Sequence, residues 1–155
     1  MRFTAELYRV AAEERANQAE QLHSSGLYTL AHYVSGLAVE CLLRAYRFRV
    51  DPDPRTFDEK HDLRKLSKAS RFDSLIPSKG GEERKREIES AFGYIVNNWT
   101  NSHRFFSDDL LRSHLRRKRI YYKGDVLKEH SRQMTSNAAI IIALGTRRWS
   151  VWKSS

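Results

Sequence analysis

Apolar residues recur every three or four positions along most of this chain, which is the spacing of one face of an α-helix. The pattern predicts six helices, over about 4–24, 28–49, 61–70, 82–99, 108–115 and 125–145. Only 48–50 and 120–122 are candidate strands, and both are too short to build a sheet. The predicted fold class is therefore all-α: a single-domain bundle over 1–155, with its core at 4–148 and four main helices plus one or two short ones.

Glycine, proline and small polar residues mark the ends of these helices. Ser107 precedes a helical pattern and is typical of an N-cap residue. Gly26 is expected to end the first helix and Gly145 the last one. Pro52 and Pro54, in the segment 51–54, predict that the helical pattern is interrupted there, and 77–81 is the next predicted loop.

The second helix is apolar nearly all the way round, which predicts that it lies at the centre of the bundle. Gly36 and its small neighbours would let another element approach it closely. Cys41 fits there as a small buried hydrophobe. Glu40 is the exception, because a carboxylate in such a helix needs a partner or a proton.

The composition agrees with a folded domain: 40% of the 155 residues are hydrophobic and 11% aromatic. The single cysteine excludes a disulfide framework within the chain and a thiolate zinc site. The first residues lack the apolar stretch of a signal peptide, and no apolar run is long enough to cross a bilayer. A cytoplasmic protein without membrane contact is expected.

The net charge of +9 favours an anionic partner, and the excess is uneven along the chain. Residues 1–43 carry a net charge of −2, whereas 104–132 carry +5. The densest part combines basic side chains with tyrosines that could stack on unpaired bases, so RNA binding is predicted there. A solvated loop and a surface for an acidic protein are the other two interpretations. The predicted nucleic-acid-binding residues are Arg112, Arg116, Arg117, Lys118, Arg119, Tyr121, Tyr122 and Lys123.

Several short stretches carry a resemblance to a known family. GLY occurs at 26–28, SGLAVECLLRA at 35–45, HDLRKL at 61–66 and WTNSHRF at 99–105. Their order and spacing resemble those of HEPN domains (higher eukaryotes and prokaryotes nucleotide-binding), and the resemblance spans about 4–148. It implies a bundle of four or five helices that forms a homodimer and uses no cofactor.

The resemblance also implies a role in a prokaryotic toxin–antitoxin, antiviral-defence or RNA-processing system. Many members are metal-independent endoribonucleases in which four to six residues separate an arginine from a following histidine. The arginine would hold the scissile phosphate and the histidine would move protons. Others do not catalyse a reaction but dimerise and bind RNA, nucleotide or a partner such as a nucleotidyltransferase antitoxin. A third interpretation, independent of the family, is a helical interaction protein whose charge serves solubility.

This chain departs from the arginine–histidine pattern, which leaves open whether it is an enzyme. No histidine follows Arg104 at the family spacing, and the one formal match, Arg55 with His61, lies in another loop. An alternative catalytic pair is Arg104 as the phosphate ligand and His103 as the proton carrier. Two structural interpretations compete with this one: Arg104 could form an ion pair with Glu40, and Trp99 continues an apolar stripe and belongs in the core.

The remaining histidines predict no metal site. His61 and Asp62 precede a helix, where the pair is best explained as capping. His23 and His32 are expected to be structural or surface groups. Two further histidines, at 114 and 130, are weak catalytic candidates.

Overall fold

The computed structural model describes residues 1–76 and 81–151, and it confirms the all-α class. Within this part of the chain there are no strands, so 48–50 and 120–122 do not form any. Residues 77–80 of the predicted loop lie outside the described residues. The helices are α1 (Ala5–Ser24), α2 (Tyr28–Val50), α3 (Leu63–Ala69), α4 (Glu82–Asn98), α5 (Asp108–Arg117) and α6 (Val126–Arg148). Short 3-10 helices span Pro54–Thr56, Phe72–Leu75 and Asn101–Phe105.

Polar side chains cap the starts of four of these helices. Thr4, Asp62, Ser107 and Asp125 each accept hydrogen bonds from backbone N–H groups in the first turn that follows. The predicted N-cap at Ser107 is thus confirmed, and Asp62 rather than His61 caps α3. Gly26 follows α1 with a φ of 79°, a backbone conformation that favours glycine.

The central helix of the bundle is α2, as its apolar composition predicts. It packs against α1, α3 and α6, while α4 packs against α6. The largest fully buried side chains of the main core include Tyr46, Leu42 and Ile141. A smaller cluster of Leu111, Leu115 and Leu127 attaches α5 to the start of α6.

The predicted end of the last helix at Gly145 is wrong, because α6 continues to Arg148. Gly145 lies in the helix and allows close packing against α2. A Cβ at this position would come within 2.5 Å of Cδ2 of Leu42. The hydroxyl of Tyr46 also donates a hydrogen bond of 2.5 Å to the Gly145 carbonyl.

None of the helices in the described part of the chain is long and apolar enough to cross a membrane.

Candidate functional site

The segment from Trp99 to Arg104 leaves α4 and lies against α2. Trp99 is 3% exposed, and its indole N–H donates to the carbonyl of Tyr33 at 2.9 Å. The indole occupies the space that a side chain at Gly36 would fill. The core interpretation of Trp99 therefore agrees with the structure.

Arg104 does not contact Glu40, and the predicted ion pair is wrong. Oε1 of Glu40 instead accepts from Nε of Arg44 at 2.8 Å and from Nδ1 of His61 at 2.7 Å. Arg44 follows Glu40 by one helical turn, so their side chains meet on the same face of α2. Arg104 is exposed; its guanidinium donates to the Asn101 carbonyl at 3.2 Å and lies 4.4 Å from the ring centroid of Phe105.

His103 is only 4% exposed, although it is next to exposed Arg104. The 3-10 helix Asn101–Phe105 starts with a capping box, in which the side chain of Thr100 accepts a hydrogen bond from the backbone N–H of His103. In return, the Thr100 backbone N–H donates to Nδ1 of His103 at 3.4 Å. The same Nδ1 lies 2.9 Å from Nε2 of His32 on α2. The imidazole of His103 is therefore held on one side by two partners.

That contact continues as a chain of hydrogen bonds through the interior, which we call the histidine chain: His103, His32, His130, Tyr94 and Tyr122. Nδ1 of His32 lies 2.8 Å from Nε2 of His130. Nδ1 of His130 lies 2.7 Å from the hydroxyl of Tyr94, which is 2.6 Å from the hydroxyl of Tyr122. The chain thus joins the 3-10 helix to the loop between α5 and α6.

The three histidines of the histidine chain are neutral at ordinary pH. Burial is the main cause, with mutual repulsion between imidazoles second. The pKa of His103 is lowered to about 4 and that of His130 to about 3. The pKa of fully buried His32 lies well below its ordinary value. His114 packs edge-on against His103 at 4.8 Å between centroids, and its pKa is also lowered, mainly by burial.

A cavity of about 210 Å³ lies beside His103 and Arg104, and both residues line it. Its apolar walls include Leu27, Leu30 and Phe106. Asp108 supplies a carboxylate, which accepts a hydrogen bond from the hydroxyl of Thr29. Besides this carboxylate, the cavity has one exposed guanidinium and one neutral imidazole, a pair that can hold an anionic oxygen.

The basic run predicted from the sequence lies on α5 and in the loop after it. A groove of about 390 Å³ opens there and is lined by Arg112, Arg116, Tyr121 and Tyr122. Tyr121 is 74% exposed, whereas the hydroxyl of Tyr122 is held by Tyr94. The other four predicted basic residues are exposed but do not line this groove: Arg117, Lys118, Arg119 and Lys123.

Two of the groove residues also have weak intrahelical contacts. Arg112 pairs with exposed Asp109 at 3.1 Å, and Arg116 donates to the hydroxyl of Ser113 at 3.2 Å. Pairs on an exposed helix face contribute little energy and are readily exchanged for a ligand. The guanidinium groups therefore remain able to bind phosphate.

Two other residues considered in the sequence, Arg55 and His61, have acidic partners. Arg55 pairs with Asp53 and His61 with Glu40, so the formal arginine–histidine match brings no catalytic pair together. Half-buried Cys41 has a pKa raised to about 11, mainly by burial, so it is a thiol and not a reactive thiolate. In the described residues no three acidic, histidine or cysteine side chains could hold a metal ion.

The histidine chain is the feature that the sequence did not reveal as a unit. Its members come from α2, α4, the 3-10 helix, the loop before α6, and α6. A signal was present at His32 and His130, because each falls on an apolar helix face where a polar group requires a partner. The sequence did not indicate that each histidine would be the partner of another.

No family model, curated protein or solved structure matches this chain.

Proposed function

We propose that this chain is a HEPN-like RNA-acting protein of a prokaryotic defence or toxin–antitoxin system and that it binds RNA through the groove on α5. The observation that carries the proposal is the lining of this groove. Arg112 and Arg116 face the same space as the rings of Tyr121 and Tyr122. Guanidinium groups bind phosphates with release of counterions, and an exposed tyrosine ring stacks on an unpaired base.

The positive charge favours an anionic ligand, and the exposed ring of Tyr121 supports RNA over an acidic protein. The groove lies in the 104–132 segment, which has the largest positive excess of the chain. Exposed Tyr121 next to two arginines favours single-stranded RNA, since every base has a face for stacking.

Binding of a labelled single-stranded RNA at several salt concentrations tests this proposal. We expect the Arg112→Ala/Arg116→Ala double variant to bind at least tenfold more weakly and to show a shallower salt dependence, because two phosphate contacts are lost. The Arg147→Ala/Arg148→Ala variant removes the same charge from the end of α6 and should bind almost normally. Equal losses in both variants would mean that net charge alone attracts RNA, and the groove proposal would be wrong.

A second candidate function is cleavage of the bound RNA, as in the metal-independent HEPN ribonucleases. It is favoured by the cavity that His103 and Arg104 share. The test is incubation of the purified protein with total RNA in the presence of EDTA, beside Arg104→Ala and His103→Ala variants. Cleavage in EDTA that fails in both variants would support catalysis, and binding without cleavage would support the non-catalytic alternative.

The proposal includes a homodimer, in the cytoplasm, with a nucleotidyltransferase antitoxin as the partner of the non-catalytic alternative. Exposed apolar side chains at the cavity and next to it support a contact with a second copy. Leu27 and Leu30 line the cavity and are 54% and 48% exposed, and Phe105, which follows Arg104 in the chain, is 75% exposed. Sedimentation of the wild type and of a Phe105→Asp variant would test this, since a dimer that uses the surface should dissociate in the variant.

A further inference from the structure

The histidine chain permits only two directions of hydrogen bonding. A neutral imidazole has one N–H and one lone pair, so each histidine in the chain must donate from one nitrogen and accept on the other. If one histidine changes its tautomer, its neighbour must change as well. The chain therefore has either Nε2–H at all three histidines or Nδ1–H at all three.

The backbone of Thr100 selects between these two directions. Its N–H is only a donor and lies 3.4 Å from Nδ1 of His103, so this nitrogen is the acceptor. His32 must then donate from Nε2 to His103, and His130 must donate from Nε2 to His32. The hydroxyl of Tyr94 consequently donates to His130 and accepts from Tyr122.

We propose that the Thr100 backbone N–H and the rest of the histidine chain (Tyr122, Tyr94, His130 and His32) together hold His103 in its Nε2–H tautomer, so that His103 presents a neutral hydrogen-bond donor to the cavity. Among the described residues the hydrogen bonds of the His103 ring are both at Nδ1 and leave Nε2 without a partner, and His103 lines the cavity beside Arg104. An N–H group and a guanidinium side by side suit a ligand with an anionic oxygen, such as a phosphate group. The other four members of the chain are positioning residues, because they act through His103.

The inference rests on the proposed function only for the identity of the ligand, since RNA would supply the phosphate. It also changes the role expected of His103. In this tautomer the lone pair of Nδ1 is already occupied, so the imidazole is a donor to a phosphate oxygen and not a base.

Nitrogen NMR of the ¹⁵N-histidine-labelled full chain at neutral pH tests the tautomers directly. We expect Nε2–H forms for His32, His103 and His130. An Nδ1–H form at His103 would overturn the proposal. RNA is absent from this measurement, so its outcome is independent of whether the groove on α5 binds RNA.

A matched pair of variants separates positioning from simple packing. His32→Phe keeps an aromatic ring but removes both hydrogen bonds; Thr100 still donates to His103, and we expect His130 to become a mixture of tautomers. His32→Gln restores an acceptor and a donor, so the Nε2–H form of His130 should return. An unchanged His130 in His32→Phe would contradict the role of the chain.

Tyr94→Phe provides a test if His32→Phe does not fold, because it deletes a single hydroxyl. We expect the Nδ1 resonance of His130 to move to the position of a free lone pair; no change would overturn the chain.

The ligand is tested with inorganic phosphate as the probe. It should shift the Nε2–H proton signal of His103 in the wild type and shift it less in Arg104→Ala. No shift in the wild type would overturn the assignment of an anionic oxygen to the cavity and would leave the groove on α5 unaffected.

Discussion

The absence of a side chain at Gly36 leaves space for the indole of Trp99, and this contact positions the segment that carries the candidate site. The indole lies directly on the backbone of α2 at Gly36, and its N–H is satisfied by the carbonyl of Tyr33. The 3-10 helix with His103 and Arg104 follows immediately along the chain. The space above Gly36 therefore determines where the cavity residues are placed.

Replacement of Gly36 by alanine should destabilise the protein by about 2 kcal/mol, because the added methyl group overlaps the indole of Trp99. Gly93→Ala is the matched control on α4, where nothing lies within 4 Å of a new Cβ and alanine favours the helix. Urea unfolding of both variants checks this. A Gly36→Ala variant as stable as Gly93→Ala would contradict the packing of Trp99.

Glu40 is 2% exposed, and its partner could be predicted only in part from the sequence. The apolar helix around it predicts that the carboxylate needs a partner, but the predicted partner, Arg104, is wrong, and the observed one is Arg44. Since Arg44 is one turn away on the same helix, the i,i+4 rule already provided the better candidate.

Loss of Arg44 should therefore cost far more stability than loss of Arg104. Arg44→Ala leaves the Glu40 carboxylate buried with only His61 as a partner, at a cost of about 3 kcal/mol. Arg104 is exposed, so Arg104→Ala should change the free energy of unfolding by less than about 0.5 kcal/mol. Thermal and urea unfolding measure both variants; similar effects would be evidence against the observed Glu40 pairing.

At the scale of the element, α5 has two faces with different roles. Leu111 and Leu115 are fully buried against Leu127, while Arg112 and Arg116 line the exposed groove. A helix of ten residues is marginal by itself, so its tertiary contacts stabilise it. These buried contacts hold the basic face of α5 beside the loop to α6, which contains Tyr122 of the histidine chain.

The start of α6 gives a test of this region. Oδ1 of Asp125 accepts from the backbone N–H groups of Leu127 and Lys128 at 3.1 and 3.2 Å. Asp125→Ala should lower the free energy of unfolding by about 1 kcal/mol, whereas Asp125→Asn keeps an acceptor and should cost much less. Equal losses measured by urea unfolding would indicate that charge and not capping stabilises this end.

At the scale of the whole molecule, the neutral histidines couple folding to pH. His32, His103, His114 and His130 all have pKa values below the ordinary 6.5 in the folded chain. Below this pH the unfolded chain binds protons that the folded chain does not bind. The free energy of unfolding therefore rises with pH across this window and is highest above it.

We expect stability to fall as the pH decreases from 7.5 to 5, with each histidine contributing up to about 1.4 kcal/mol per pH unit. Carboxylates titrate mainly below this range, so the slope reports on imidazoles. Urea unfolding across the range measures it. The His32→Gln variant removes one of the four groups and should show a shallower slope, and a flat profile in the wild type would contradict the buried neutral cluster.

The sequence alone determined the helices, most of their ends and the central place of α2, because these depend on spacing and on local capping. It also located the basic run, which is a property of consecutive residues. The histidine chain, the cavity at His103 and the partner of Glu40 were decided only by the tertiary structure. Each depends on side chains from separate elements meeting within hydrogen-bond distance, and helical periodicity specifies which face is buried but not which residues meet there.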